Sequence, residues 1–293
     1  MRTRRVALGL TQILVSFGIL GWLMHQFGIA PFLAAVRSLS PLSVVAALGI
    51  GGVATLVQAQ RWRLIARGCD MSLSRGEAVA KCWQAAFLNS VLPGGLAGDV
   101  IRAVEQRTTV RGTWRGSIGS VLGERLTGTA VVFVAAAIAL IPTLPWLGAL
   151  VGVAALAALG TAWPSLRRIP ARARWSVLAL AGAGWLVFAA LFLIAAASGT
   201  AGSTGSLFAR TGAFEVFALT AVTLAGMSIP LGWGGWGPRE GIAALVFPLF
   251  GSSADAGVAV AFSYGILALI SVLPGAAILL TRVGLGMRRE PAG

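Results

Sequence analysis

Charge is scarce in this chain. Asp, Glu, Lys and Arg together make up 11% of its 293 residues, against roughly 25% in soluble domains, which excludes a water-soluble globule. Cysteine is nearly absent: Cys69 and Cys82 flank a basic segment, form no metal motif at that spacing, and read as reduced structural thiols. Histidine occurs once, and His25, near the end of an apolar run, reads as a polar boundary residue rather than a ligand. Gly-x-x-x-x-Gly-Lys-Ser/Thr does not occur, so no ATPase phosphate loop is expected, and no cofactor. No nucleophile–base pair or metal-ligand cluster supports an enzyme reading, and none of the expected site residues is assigned a catalytic role.

What remains is apolar. Hydrophobic residues make up 57% of the chain and the mean hydropathy is +0.86. Several runs approach the roughly 20 residues needed to cross about 30 Å of hydrocarbon. Full spans are expected near 6–28, 42–60, 115–141, 145–163, 175–197 and 255–281. The run after Arg2, Arg4 and Arg5 is too long for a secretory h-region and reads as the first span rather than a removable signal. Ser198 to Ser206, rich in Gly and Ser, reads as a flexible outer loop. No stretch is expected to fold as a separate soluble domain, so residues 1–293 form a single membrane domain.

Two further regions, 76–106 and 213–250, are apolar but interrupted. The first carries Asn89-Ser-Val-Leu-Pro93-Gly94-Gly95-Leu-Ala-Gly98-Asp99-Val-Ile-Arg102; the second carries Pro230-Leu-Gly232-Trp-Gly234-Gly235-Trp-Gly237-Pro238-Arg239-Glu240. Irregular backbone at membrane depth is tolerated only where protein or a water-filled cavity satisfies its polar groups. One such break in each half of a chain points to a transporter's binding site. The piece from Arg239 to Phe250 would be about 18 Å of helix at 1.5 Å per residue, too short to span and long enough for half of a re-entrant hairpin. The segment 232–237 also fits Gly-x-Gly-x-x-Gly, but without the preceding strand or the later acidic residue it is no dinucleotide fingerprint.

The net charge of +14 is topogenic rather than a nucleic-acid footprint, because the basic residues cluster between apolar spans. With both termini in the cytoplasm and each interrupted region entering and leaving on one side, nearly all basic residues lie inside. Arg37 and Arg210 fall outside, and Arg125 and Arg239 fall at depth. The fold class is then an all-α polytopic membrane protein, six full spans plus two re-entrant helical hairpins. Residues 1–141 and 145–281 form an inverted-topology repeat in the cytoplasmic (inner) membrane. Trp22, Trp62, Trp83, Trp114, Trp146, Trp163 and Trp175 fall at expected span ends, where indoles favour the headgroup region.

Ionisable residues inside spans usually face the bundle interior and mark a pathway. Asp99 and Arg102 share a face if a helix starts near Ala97; Glu124 and Arg125 sit in the cytoplasmic third of a span; Glu215 lies near an outer end; Arg239 and Glu240 follow Pro238 at a helix start. Such charges either pin the hairpins by pairing with one another or contact substrate. Helix N-termini beside them favour phosphate, and arginine adds a bidentate fork. Glu77 and Lys81 read as a helix-surface pair, Gly182 and Gly184 as close-packing residues, and Trp233 and Trp236 as either path-lining or gap-filling.

On these motifs, with Glu124-Arg125 between them, the chain resembles the flippase-like membrane region of lysylphosphatidylglycerol synthases. It is similar to stand-alone members of that family and to the flippase portion of multiple peptide resistance factors. The resemblance implies transport of a phospholipid or modified phospholipid, with no synthase activity, since the soluble acyltransferase-like domain of the fused relatives is not among these residues. It implies lipid-handling roles for Asn89, Pro93, Gly94, Gly95, Asp99, Arg102, Glu124, Arg125, Gly234, Gly235, Gly237, Arg239 and Glu240. The partner expected is a membrane phospholipid, with a lipid synthase or glycosyltransferase as a further possible partner and no nucleic acid. The rival readings are a membrane enzyme acting on a lipid-linked substrate, and a non-catalytic partner of such a synthase.

Overall fold

A computed structural model of the chain describes residues 14, 17–92, 95–109, 113–198, 212–229 and 234–287. Every regular element among them is a helix. In chain order these are α1 (Phe17–Phe27), α2 (Ala30–Arg37), α3 (Pro41–Arg67), α4 (Arg75–Val91), α5 (Ala97–Thr109), α6 (Trp114–Leu140), α7 (Pro145–Leu166), α8 (Ala171–Ser198), α9 (Ala213–Gly226), α10 (Pro238–Leu249) and α11 (Ala254–Met287).

Five of them, α3, α6, α7, α8 and the stretch of α11 from Ala254 to Thr281, are long and apolar enough to cross a membrane. The chain is a multi-pass integral membrane protein. Among the described residues a sixth crossing is reached by counting α1 and α2, which meet at 102°, as one broken span. The bend has local causes: Gly28 adopts φ +69, which suits glycine, and Pro31 opens α2 where its missing N–H costs nothing. Of the expected first span, 6–28, residues 6–13, 15 and 16 lie outside the described residues, as does the Gly/Ser loop that begins after Ser198.

Local chemistry sets the helix starts. Ser40 precedes Pro41 and exchanges hydrogen bonds with Ser43, N–H to Oγ in both directions at 3.0 and 3.1 Å. Ser74 caps α4 through the Glu77 N–H at 3.2 Å, and Thr113 caps α6 through the Gly116 N–H at 3.1 Å. Small residues then let helices approach. A methyl group on Gly275 would meet the Trp83 carbonyl oxygen at 2.2 Å, and one on Gly51 would meet that of Ser271 at 2.2 Å. These contacts seat α11 against α4 and α3.

Burial runs opposite to that of a soluble protein. Leu42, Leu156, Leu186 and Leu280 are exposed, whereas Lys81, Asp99, Arg102, Gln106, Glu124, Arg239 and Glu240 are buried. Hydrocarbon solvates the leucines and not the charges, so ionised groups turn inward. Cys69 and Cys82 are free and buried, and burial pushes the Cys69 thiol above its ordinary range.

Three expectations need correction. α3 continues past residue 60 to Arg67, so Arg61 and Trp62 belong to the interior: Trp62 is fully buried rather than at the headgroup boundary. Lys81 pairs with Glu77 at 3.0 Å, but the lysine side chain is buried and only the glutamate, 29% exposed, reaches the surface. Gly182 and Gly184 do not bring helices together, since a methyl on Gly182 meets nothing within 4 Å and one on Gly184 makes only ordinary contacts.

Candidate functional site

Sequence-expected residues gather in two clusters, one beside each Gly-rich break. The first lies where α3, α4, α5 and α6 meet. α5 begins at Ala97, which puts Asp99 in its first turn and Arg102 on the same face, paired at 3.0 Å. Arg102 also donates to Glu124 on α6 at 2.8 Å and to the Cys82 sulfur at 3.2 Å, and its guanidinium lies 4.5 Å from the centre of the Trp62 ring. Glu124 is shared: its other oxygen accepts from Arg61 Nε at 3.1 Å and from the same guanidinium's Nη2. At the opposite end Asp99 accepts from Arg125, which also donates to the Gly95 carbonyl at 3.1 Å.

Asn89 completes this end. Its Oδ1 accepts the Gly98 N–H at 2.8 Å and its Nδ2 donates to Asp99 at 3.1 Å. A side chain on α4 thereby satisfies a first-turn N–H of α5 that has no partner within its own helix. Gly98 must be small, because a methyl there would meet the Ala85 carbonyl oxygen at 2.2 Å. Gly95, at φ +58, holds a left-handed turn beside the break.

Three arginines, Arg61, Arg102 and Arg125, thus face two carboxylates, Asp99 and Glu124, and one positive charge is in excess. Removing one partner from such a buried set costs about 3–5 kcal/mol, because the other is left uncompensated. Exposure is uneven. The Asp99, Arg102 and Glu124 side chains are 8%, 1% and 1% exposed, Arg61 is 10%, and Arg125 is 40%. Arg125 and Asp99 form the polar end of a 260 Å3 groove whose remaining lining is apolar, including Leu96, Val100, Val104, Trp114, Ile118 and Leu122.

The second cluster is a closed pair. α10 opens with Pro238 after Gly237, so Arg239 and Glu240 fall in its first turn. Arg239 donates from Nε to Glu240 Oε1 at 3.1 Å, and Glu240 Oε2 accepts the Gly237 N–H at 2.8 Å. The Arg239 guanidinium stands 4.8 Å from the Trp236 ring and 5.3 Å from the Tyr264 ring. Both charged side chains are 1% exposed or less. Arginine and glutamate cancel here, with aromatic faces covering the cation.

The two breaks touch. A methyl on Gly234, at φ +58, would meet the Ser90 carbonyl oxygen at 2.5 Å, so the second break lies directly on the end of α4. Beside this junction Phe17, Leu20, Ser90, Val91, Trp236, Phe262 and Leu269 surround an apolar cavity of 370 Å3. Trp236 therefore both lines this cavity and covers Arg239. Gly235 and Gly237 hold positive φ in the same turn.

Of the expected site residues, Asn89, Gly95, Asp99, Arg102, Glu124 and Arg125 come together in one network. Gly234, Gly235, Gly237, Arg239 and Glu240 form the other. Pro93 and Gly94 lie outside the described residues, and so does Trp233. Glu215 belongs to neither network and sits in the first turn of α9. Arg61, Cys82 and Trp62 were not expected in the site. Arg61 and Ile65, and Trp62 and Ala66, are all buried at four-residue spacing, a helical stripe that continues the α3 face into its basic end.

Residues 9–275 match the model of a protein family described as Lysylphosphatidylglycerol synthase TM region. No curated protein matches the chain.

Proposed function

We propose that this chain, which belongs to the lysylphosphatidylglycerol synthase TM region family, is a lipid translocase that carries a phospholipid headgroup, plain or modified, past the first charged cluster. The observation behind this reading is the placement of Arg125. It is the most exposed of five networked charges, and it heads a groove that is otherwise apolar. A phosphate can take the guanidinium fork while an acyl chain lies along Val100, Val104, Ile118 and Leu122. The excess positive charge of the network favours an anionic group at that end.

The arrangement we infer around it is an inverted repeat of residues 1–141 and 145–281 with two re-entrant hairpins. Successive contacts of α4 and α5 run in opposite directions, Asn89 with Gly98, Cys82 with Arg102, as in a hairpin. Helix contacts also exchange under one swap of halves. α4 packs on α11 as α9 packs on α6, α5 packs on α6 as α10 packs on α11, and α3 packs on α8, its own counterpart. Three crossings per half make such a repeat inverted. The distribution of basic clusters supports an orientation with both termini in the cytoplasm, in the cytoplasmic membrane.

The test is headgroup movement in proteoliposomes containing purified protein, followed with fluorescent phospholipids and an impermeant quencher. The wild-type chain should accelerate movement over empty vesicles, and Arg125→Gln should abolish the acceleration while the protein remains folded. Wild-type rates equal to those of empty vesicles, across anionic and zwitterionic lipids, would contradict the reading.

A further inference from the structure

We propose that a second cavity, between α3, α6 and α8, is an anion-binding site that takes the oxygens of a phosphate or phosphodiester group. It measures 130 Å3 and is lined by Gln58, Arg61 and Trp185 together with small or apolar residues, among them Gly128 and Gly184. By liquid volume it has room for about four waters, the size class of a phosphate rather than of a whole lipid. No carboxylate lines it.

Two of its polar groups are donors with no acceptor among the described residues. Arg61 commits Nε and Nη2 to Glu124. Among the described residues its Nη1 has no hydrogen-bond acceptor, and that nitrogen is the atom a methyl on Gly184 would approach, at 3.9 Å. Among the described residues the Trp185 indole Nε1–H is buried without a hydrogen-bond partner, which is unfavourable unless a ligand or water accepts from it. Gln58 adds an amide. Gly128 keeps the guanidinium face clear, since a methyl there would come within 3.0 Å of Arg61 Nη2.

The site is also electrically continuous with the groove at Arg125. Arg61, Glu124, Arg102, Asp99 and Arg125 form an unbroken chain of ion pairs, and its one excess positive charge is bordered by a cavity at each end. An anion at Arg61 balances that charge as well as one at Arg125 does. The proposal rests on the translocase reading only for the source of the phosphate, a lipid headgroup; the binding itself requires no transport.

The experiment observes the Trp185 indole N–H by 15N–1H correlation in detergent-solubilised protein, its resonance identified by its loss in Trp185→Phe. Three probes are titrated: dihexanoyl phosphatidic acid, dihexanoylglycerol, which lacks only the phosphate, and inorganic phosphate. The expected result is a downfield, saturating shift with phosphatidic acid and none with dihexanoylglycerol, and, by isothermal titration calorimetry, about fivefold weaker phosphatidic acid binding to Trp185→Phe than to the wild-type chain, the effect of one net hydrogen bond. A shift with inorganic phosphate as well supports the site and identifies a free anion as sufficient. Equal shifts with both lipids, or no shift with any probe, would overturn the proposal. Loss of headgroup movement in proteoliposomes with this titration intact would instead count against the translocase reading alone.

Discussion

The two Gly-rich breaks carry similar letters and end in different physical states. Beside the first, five charges on three helices are linked in a line, with one positive charge left over and an apolar groove at Arg125. Beside the second, Arg239 and Glu240 are neighbours in sequence, neutralise each other, cap their own helix start and are shut in by Trp236 and Tyr264. A neutral, enclosed pair suits pinning a turn against its neighbours. A line of charges with an imbalance and an opening suits contact with something that comes and goes. Sequence motif alone does not separate the two; connectivity and exposure do.

The largest effect should come from breaking the shared carboxylate. Glu124→Ala leaves Arg61 and Arg102 buried without it, and a loss of about 3–5 kcal/mol is expected. Thermal unfolding of the purified protein, or its failure to accumulate folded, measures this. Glu240→Ala should cost a similar amount by stranding Arg239, which makes single variants poor discriminators between the clusters.

Double replacements sharpen the contrast. Arg239→Met with Glu240→Leu removes a complete buried pair, and such exchanges are often neutral or stabilising by about 1–4 kcal/mol. Stability should recover relative to Glu240→Ala, with headgroup movement retained. Asp99→Leu with Arg125→Met should likewise give folded protein, but without accelerated headgroup movement. Equal loss of movement in both doubles would erase the distinction drawn between the clusters.

Smaller effects probe how α4 and α5 are held together. Gly98→Ala places a methyl 2.2 Å from the Ala85 carbonyl oxygen, and forcing α4 and α5 apart should cost about 1–3 kcal/mol. Asn89→Ala removes the acceptor of the Gly98 N–H and should cost about 1 kcal/mol, the usual value of a lost helix cap. Both are read from thermal unfolding midpoints. The Asn89 variant should also retain headgroup movement, since both ends of that side chain are occupied by protein.

Much of the fold was legible in the chain because hydropathy and helix punctuation are local properties. Ser40-Pro41, Thr113 and Pro238 mark helix starts, and α5 begins at Ala97, where the Asp99–Arg102 pairing required it. Pairing of these charges with one another was among the expected options, and Arg125 with Asp99 is such a pair. What was not legible is where a helix outlasts its hydropathy. Arg61-Trp62-Arg63 ends the apolar run and reads as a cytoplasmic edge, yet the helix continues for another turn with Arg61 and Trp62 facing inward. Likewise Trp62 and Trp83 were grouped with the boundary indoles, and only Trp22, Trp114, Trp146, Trp163 and Trp175 of that group are exposed. A cavity such as that at Trp185 depends on three helices at once, so no local pattern announces it. The α1–α2 bend did leave a signal, Gly28 followed by Pro31, which a search for continuous spans passes over.

The most direct test is to locate lipid phosphate in a structure of the protein reconstituted in phospholipid nanodiscs. The expected result is phosphate density at charge-assisted hydrogen-bond distance, about 2.7–2.9 Å, from the Arg125 guanidinium, with the acyl chain along Val100 and Ile118. Phosphate seated on Arg239 instead, with the groove at Arg125 empty of lipid, would contradict it.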